Sequence, residues 1–257
     1  MDKTTGDRNL LEIIGIKGIP LLKMGDEIAD LVCNAAKEQH VDFRDHDILV
    51  VAQKIVSKVE GRMINLDTIA PSNLAKKIAQ SNNKDPRHIE TILNESTRIV
   101  RMQGAHLIVE THHGFVCANA GVDQSNVENE DHVITLPTNP DESARKIRRR
   151  LRELTGANVG VIIADTFGRA WRIGQVNVAI GVDGLRPIKD YRGSDDMFGR
   201  TLNVTQIAIA DELASAAELV MKKSDGIPVA IVRGLDYVSG EGSAKELIRP
   251  PEYDLFR

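Results

Sequence analysis

Cysteine, aromatic side chains and long apolar runs are all scarce in this chain. Two Cys, one Trp, three Tyr and five Phe are spread over 257 residues. Cys33 and Cys117 lie far apart in apolar surroundings and read as reduced core thiols of a cytoplasmic protein rather than as a disulfide. No run is long and apolar enough to cross a bilayer as a helix, and the polar start MDKTTGDRN has no signal-peptide core. A net charge of −4 gives no general electrostatic case for binding nucleic acid or an anionic membrane. Familiar site signatures are missing as well. There is no G-x-x-x-x-G-K-[ST], and GEGSAK lacks the lysine–hydroxyl pair in register. No G-x-G-x-x-G follows a strand, and G-x-S-x-G, H-E-x-x-H and C-x-x-C are absent.

What remains is aliphatic and mixed in pattern. The length suits one large α+β (mixed α/β) domain, or two lobes, over residues 9–257 after a loose tail at 1–8. Leu10–Ile16 and Ile48–Ala52 read as strands, and Asp26 is placed to cap a helix whose apolar face is Ile28, Leu31, Val32 and Ala35. Helices are predicted from Ser72, after Pro86, from Asp141, and over Asn203–Val220 with Ile209, Leu213, Ala216 and Val220 inward. RIVRM, HLIVE and FVCAN are three strand-like runs, with His112, His113 and Gly114 at the turn between the last two. Neighbours on a strand point to opposite faces, so that histidine pair reads as a turn rather than a chelate. The Asp141 helix carries Arg145, Lys146, Arg148, Arg149, Arg150 and Arg152. This cluster could bind RNA or an anion, form a solvated face, or pair with a partner subunit; the aromatics that accompany single-stranded nucleic acid are lacking.

The chemistry centres on VGVIIADTFGR, residues 159–169. A run without polar side chains, suited to a doubly buried strand, gives way to Asp165 and Thr166. Oxygen ligands fixed at a strand exit suit Mg²⁺ or Mn²⁺; the alternative is that Asp165 only caps the next element. Gly168 allows a turn, and Arg169 and Arg172 add anion-binding charge. A second strand-like run also yields to a carboxylate, Asp123, with Asn126 close behind. Carboxylates converging from two strands commonly build a divalent-metal site. Lys54 and Lys58 near the end of the Ile48–Ala52 strand read, by themselves, as solvated surface.

Several stretches together resemble one family, the coenzyme F-420:L-glutamate (γ-glutamyl) ligases: GIPLLKMGDEI, VVAQKIVSKVEGR, CANAGVDQSN, VIIADTFGRAWRIGQVNVAIG, DYRGSDDMFGR, GIPVAIVRG and RGLDYVSGEGSAKELIRPPEYDLFR. They run in the family's order over nearly the whole chain, in its stand-alone form. The resemblance implies a two-lobed γ-glutamyl-ligase-like fold, interwoven as a homodimer. It implies a GTP-dependent ligase that joins one or two L-glutamates, the second γ-linked, to the carboxylate of a deazaflavin phospholactate through an acyl phosphate. Such chemistry needs cations to offset the charge of triphosphate and carboxylate. By position, Asp123 and Asp165 would hold one Mg²⁺ or Mn²⁺, and Thr166 would help to hold a second, with Lys223 contributing only backbone; K⁺ would assist. Ile19, Pro20, Leu21, Leu22, Gln53, Lys54, Lys58, Asn126 and the turn Met221, Lys222, Lys223, Ser224, Asp225, Gly226, Ile227, Pro228 would contact GTP. Arg169, Trp171 and Arg172 are candidates for the deazaflavin substrate, with Trp171 alternatively a core residue. The competing readings are another metal- and nucleotide-dependent acyl-phosphate ligase and a non-enzymatic RNA-binding protein using residues 145–152.

Overall fold

Two runs of aliphatic residues, Ile48–Ala52 (β2) and Gly160–Arg169 (β8), lie side by side and parallel, with Ile48 opposite Gly160 and Ala52 opposite Ala164. Parallel neighbours covered on both faces need apolar side chains throughout, and Leu49, Val50, Val161, Ile162 and Ile163 are wholly buried. The computed structural model describes residues 10–104, 106–125 and 129–254. The chain is mixed α/β. In order it runs through β1 (Glu12–Gly15), α1 (Ile28–Glu38), β2, α2 (Gln53–Val59), β3 (Met63–Asn65), α3 (Asn73–Asn82), α4 (Pro86–Asn94), β4 (Ser96–Gln103), β5 (His106–Thr111), β6 (Val116–Ala118) and β7 (His132–Ile134). It continues through α5 (Pro140–Thr155), β8, β9 (Arg172–Asp183), β10 (Lys189–Asp190), β11 (Gln206–Ile207), α6 (Ile209–Met221) and β12 (Val229–Arg233).

The principal sheet has the order β1-β12-β2-β8-β9; only β2 and β8 are parallel. Helices α1, α5 and α6 pack with it into one large core. Close approach of α5 to the sheet requires Gly181, where a Cβ would come within 2.5 Å of the Pro140 carbonyl. A second, smaller core gathers Ala75, Ile78, Ile89, Ile92, Leu107, Val109, Ala120, Val122 and Val133 between α3, α4 and the antiparallel sheet β4-β5-β6. Ser72 caps α3 by accepting from the Ala75 amide, as its sequence position predicts.

The structure corrects several expectations. Asp26 does not cap α1; its carboxylate accepts from the Lys23 amide, and Glu27 occupies the cap position. Asn139 caps α5, with Pro140 in its first turn, whereas Asp141 turns its carboxylate to the amides of Val182 and Ala244. Residues 203–208 are not helical: β11 is drawn into an antiparallel pair with β10, and α6 starts at Ile209. Its buried side is Ala210, Leu213, Ala214, Ala217 and Met221, so Leu213 is retained while Ala216 and Val220 are only partly buried. Much of the arginine charge on α5 is paired within the chain: Arg145 and Arg148 reach Asp183, and Arg150 holds Asp30 in two hydrogen bonds. Cys33 and Cys117 are free thiols, as expected. The expected loose tail at 1–8 lies outside the described residues. No helix among the described residues is long and apolar enough to cross a membrane.

Candidate functional site

Strand order brings the site together. β12 lies between β1 and β2 and runs against both, so its first residues sit beside the exits of these two strands. The Ile16 amide donates to Val229 O and the Ala52 amide to Pro228 O, each at 2.9 Å. β2 in turn aligns Ala52 with Ala164, the residue before Asp165. Three segments far apart in sequence therefore meet at one end of the sheet: the loop with Ile19, Pro20, Leu21 and Leu22, the start of α2 with Gln53 and Lys54, and the turn Met221–Pro228; Lys58 lies in the last turn of α2. Leu22 is buried, while Leu21 is exposed.

Asp165 is not at the strand exit. β8 continues to Arg169, but beyond Ala164 it is paired only with β9, so Asp165 lies where the flank that β2 covered has opened. Gly168 does not turn the chain either; Ala170 and Trp171 form the two-residue tip of the β8–β9 hairpin. Asp123 arrives by a different route. After β6 the chain makes one turn in which Asn119, Ala120 and Gly121 all have positive φ, of 55°, 55° and 70°. Gly121 is required there, since a Cβ would sit 2.8 Å from the Leu136 side chain. Backbone bonds to Ile134 on either side of Asp123 then fix its carboxylate at the site.

Two of the three proposed oxygen ligands, Asp123 and Thr166, meet a lysine. Lys54 Nζ is 2.7 Å from Asp123 Oδ2 and donates to Ser125 Oγ at 2.5 Å, while the Ser125 amide donates to Asp123 Oδ1 at 2.7 Å. Lys223 Nζ donates to Thr166 Oγ1 at 2.5 Å and pairs with Glu218 at 3.3 Å. Thr166 donates to Asn177 Oδ1, and Asn177 donates to the other Glu218 oxygen. Burial pushes the Asp123 carboxyl up, but its bonds from Lys54 and Ser125 outweigh that and hold it below the usual range. Asp165 behaves oppositely. Burial pushes it up to about 6; the Thr166 amide, Lys54 and Lys223 pull it down, and the charge of Asp123 adds to the rise. Burial, with a smaller contribution from that same Asp165 charge, pushes the facing Cys117 thiol up to about 12.

A carboxylate whose proton affinity is raised by burial and by the charge of a second carboxylate fits a hard divalent cation, which would offset both. Among the described residues no group of three or more His, Cys, Asp or Glu forms a metal cluster. Mg²⁺ and Mn²⁺ sites of the nucleotide-handling kind use one or two carboxylates and complete the shell with phosphates and water. Gln53 adds a further sign of an absent ligand. It is 1% exposed and its Oε1 accepts from Ser57, but its Nε2 has no acceptor. Buried donors are rarely left unpaired.

The other candidates fall differently. Lys222 takes φ +52°, which turns the chain after α6 so that Lys223 reaches Thr166; its own ammonium pairs with Asp225. Asn126 lies outside the described residues. Arg169, Trp171 and Arg172 are not brought to the carboxylates. Arg169 is four residues past Asp165, about 13 Å along the strand, and donates to the carbonyls of Ile173 and Gly174. Trp171 is 79% exposed at the hairpin tip, which rules out a core role within this chain. Sequence reasoning missed Asn177 and Glu218, which position Thr166 and Lys223. A polar residue inside the apolar run VNVAIGV was the available signal for Asn177.

A model of the family described as F420-0:Gamma-glutamyl ligase matches residues 15–234. The coenzyme F420:L-glutamate ligase of Methanothermobacter thermautotrophicus is 49% identical over 251 residues, covering 96% of this chain and 99% of that protein. The proteins of the same name from Methanocaldococcus jannaschii and Archaeoglobus fulgidus are 45% and 44% identical, covering 98% and 96% of this chain and the same shares of their own lengths. Identity at this level over nearly the whole chain, with the family model matched across residues 15–234, means that the chain belongs to the F420-0:gamma-glutamyl ligase family.

Proposed function

We propose that this protein uses GTP to join L-glutamate to the carboxylate of the deazaflavin phospholactate precursor of coenzyme F420, and can extend the product by a second, γ-linked glutamate. The observation that carries the reading is the meeting of Asp123 and Asp165 with three separate chain segments at one end of the sheet. A carboxylate does not acylate an amine, because its leaving group would be oxide. Transfer of the γ-phosphoryl group to it gives an acyl phosphate. The amino nitrogen of glutamate then forms the C–N bond as phosphate departs, and the ammonium loses two protons, one to that phosphate and one to solvent.

The protein's part is positioning and charge. The cation held by Asp123 and Asp165 would neutralise phosphate oxygens as charge shifts between them. Lys54 and Lys223 stand on either side as fixed positive charges, and Lys58 enters from the same helix as Lys54. The loop at Ile19–Leu22 and the turn Met221–Pro228 frame the nucleotide. Thr166 keeps a lone pair for a second cation, with K⁺ as the monovalent ion. Exposed apolar side chains at Trp171, Ile173, Phe198 and Val204 support a homodimer, since such groups on two projecting segments favour burial against another copy.

Mass spectrometry of one reaction tests the activity. Protein, glutamate-free coenzyme, L-glutamate, GTP, Mn²⁺ and K⁺ should give a product heavier by one or two glutamyl units, absent without GTP or metal. No product from folded protein that still binds GTP and Mn²⁺ would transfer the reading to another carboxylate or amine. Steeply salt-dependent RNA binding that survives Asp165→Ala would favour the arginine helix instead.

A further inference from the structure

Past Asp165, the strand that supplies it forms one wall of a second cavity. Alternate residues of a strand share a face, so Phe167 projects to the same side as Asp165, one two-residue step or about 7 Å away. On the facing segment, Phe115 and Cys117 repeat that alternation. Cys117 lies in the field of Asp165, and the Phe115 ring meets Phe167 edge-on at 6.3 Å. At this step a cleft of about 210 Å³ opens, lined by Phe115, Phe167, Leu247, Ile248, Arg249 and Asp254. None of the residues placed at the metal or nucleotide lines it.

We propose that this cleft seats the amino-acid substrate, L-glutamate, with Arg249 pairing with a carboxylate and Asp254 holding the ammonium. The assignment rests on the ligase reading above. Size is the first argument. The cavity is smaller than the ~300–1,000 Å³ clefts that take drug-sized molecules, and it is too small for a tricyclic ring carrying a sugar-alcohol phosphate chain. Charge is the second. One arginine and one aspartate on an otherwise apolar lining match a zwitterion, and arginine takes a carboxylate in a two-pronged bond. Position is the third. A ligand one strand step from Asp165 can present its amine to an acyl phosphate formed beside that carboxylate. The tail forms one wall of the cleft: Ile248 packs against the Gly114 turn, where an added Cβ would lie 3.3 Å from Ile248 Cδ1.

Calorimetric titration of L-glutamate into protein loaded with Mn²⁺ and a non-hydrolysable GTP analogue tests this. Arg249→Gln removes the carboxylate partner, and Ile248→Trp fills the space. Each should weaken glutamate binding by on the order of tenfold or more, with the affinity for the GTP analogue unchanged, which also reports that the variants fold. Glutamate binding equal to wild type in either variant, or none in nucleotide-loaded wild type, overturns the assignment. Failure of the ligase reading is seen separately, as wild-type protein that binds neither Mn²⁺ nor the analogue; that result removes the assignment too.

Discussion

Replacing Asp165 with asparagine should make the metal-free protein more stable. The carboxyl rises from an ordinary 3.8 to about 6 in the folded protein. Its contribution is therefore fully present below pH 3.8, declines as pH rises, and is lost once pH passes about 6. At pH 7.5 the ionised group lowers stability by up to about 3 kcal/mol, taking about 1.4 kcal/mol per pK unit. Some solvent reaches this side chain, so a gain of about 1–3 kcal/mol on neutralising it is the working range. The asparagine side chain would keep an oxygen for the Thr166 amide and remove the repulsion from Asp123. For a chain of this length the gain corresponds to a rise in Tm of about 2–10 °C. Thermal unfolding in EDTA at pH 7.5 reads it, and the difference should shrink to about half by pH 5. Adding Mn²⁺ should reverse the order: wild type gains stability, more so as pH rises through 6, and the variant does not. A metal-free Asp165→Asn protein no more stable than wild type at pH 7.5 would refute the account of Asp165 as a strained, ligand-seeking carboxylate.

Other consequences are more local. Lys223→Gln removes the charged donor on Thr166 and should weaken binding of the Mn²⁺-loaded GTP analogue about tenfold, read by calorimetry. Gly181→Ala places a methyl against the Pro140 carbonyl and should cost about 1–3 kcal/mol or more in urea unfolding. Asn139→Ala removes the cap of α5 and should cost about 1 kcal/mol in the same assay.

Local chemistry made part of this molecule readable. The bounds of β2 follow directly from its apolar run, and Ser72 and Pro86 announce their helices. One misplacement is local, since the Lys23 amide takes the Asp26 carboxylate, and the others come from partners distant in sequence. Asp26 and Asp141 look like caps, but Asp141 is claimed by β9 and the tail, and residues 206–207 are held extended by β10 rather than joining α6. Asp165 and Asp123 were legible as carboxylates following buried runs. That Lys223 lands on Thr166 depends on β12 inserting between β1 and β2, and that Lys54 lands on Asp123 on the turn after β6 being tied to Ile134, neither of which a local pattern encodes. Asn177 stands out as a polar residue in an apolar run, but its role, like that of Glu218, exists only through Thr166 and Lys223.

The two carboxylates hang from different cores. Ala120 and Val122 root the Asp123 turn in the small core, while Ala164 roots Asp165 in the large one. The turn also holds two non-glycine residues in the left-handed region, a conformation that relaxes unless its surroundings enforce it. An ion bridging Asp123 and Asp165 would then act as a strut between two independently built halves. Loaded protein would open as one cooperative unit, and metal-free protein would lose the small core first, with amide exchange in α3 and α4 outrunning that in β8. Occupancy of the site and the mechanical unity of the molecule would be the same variable.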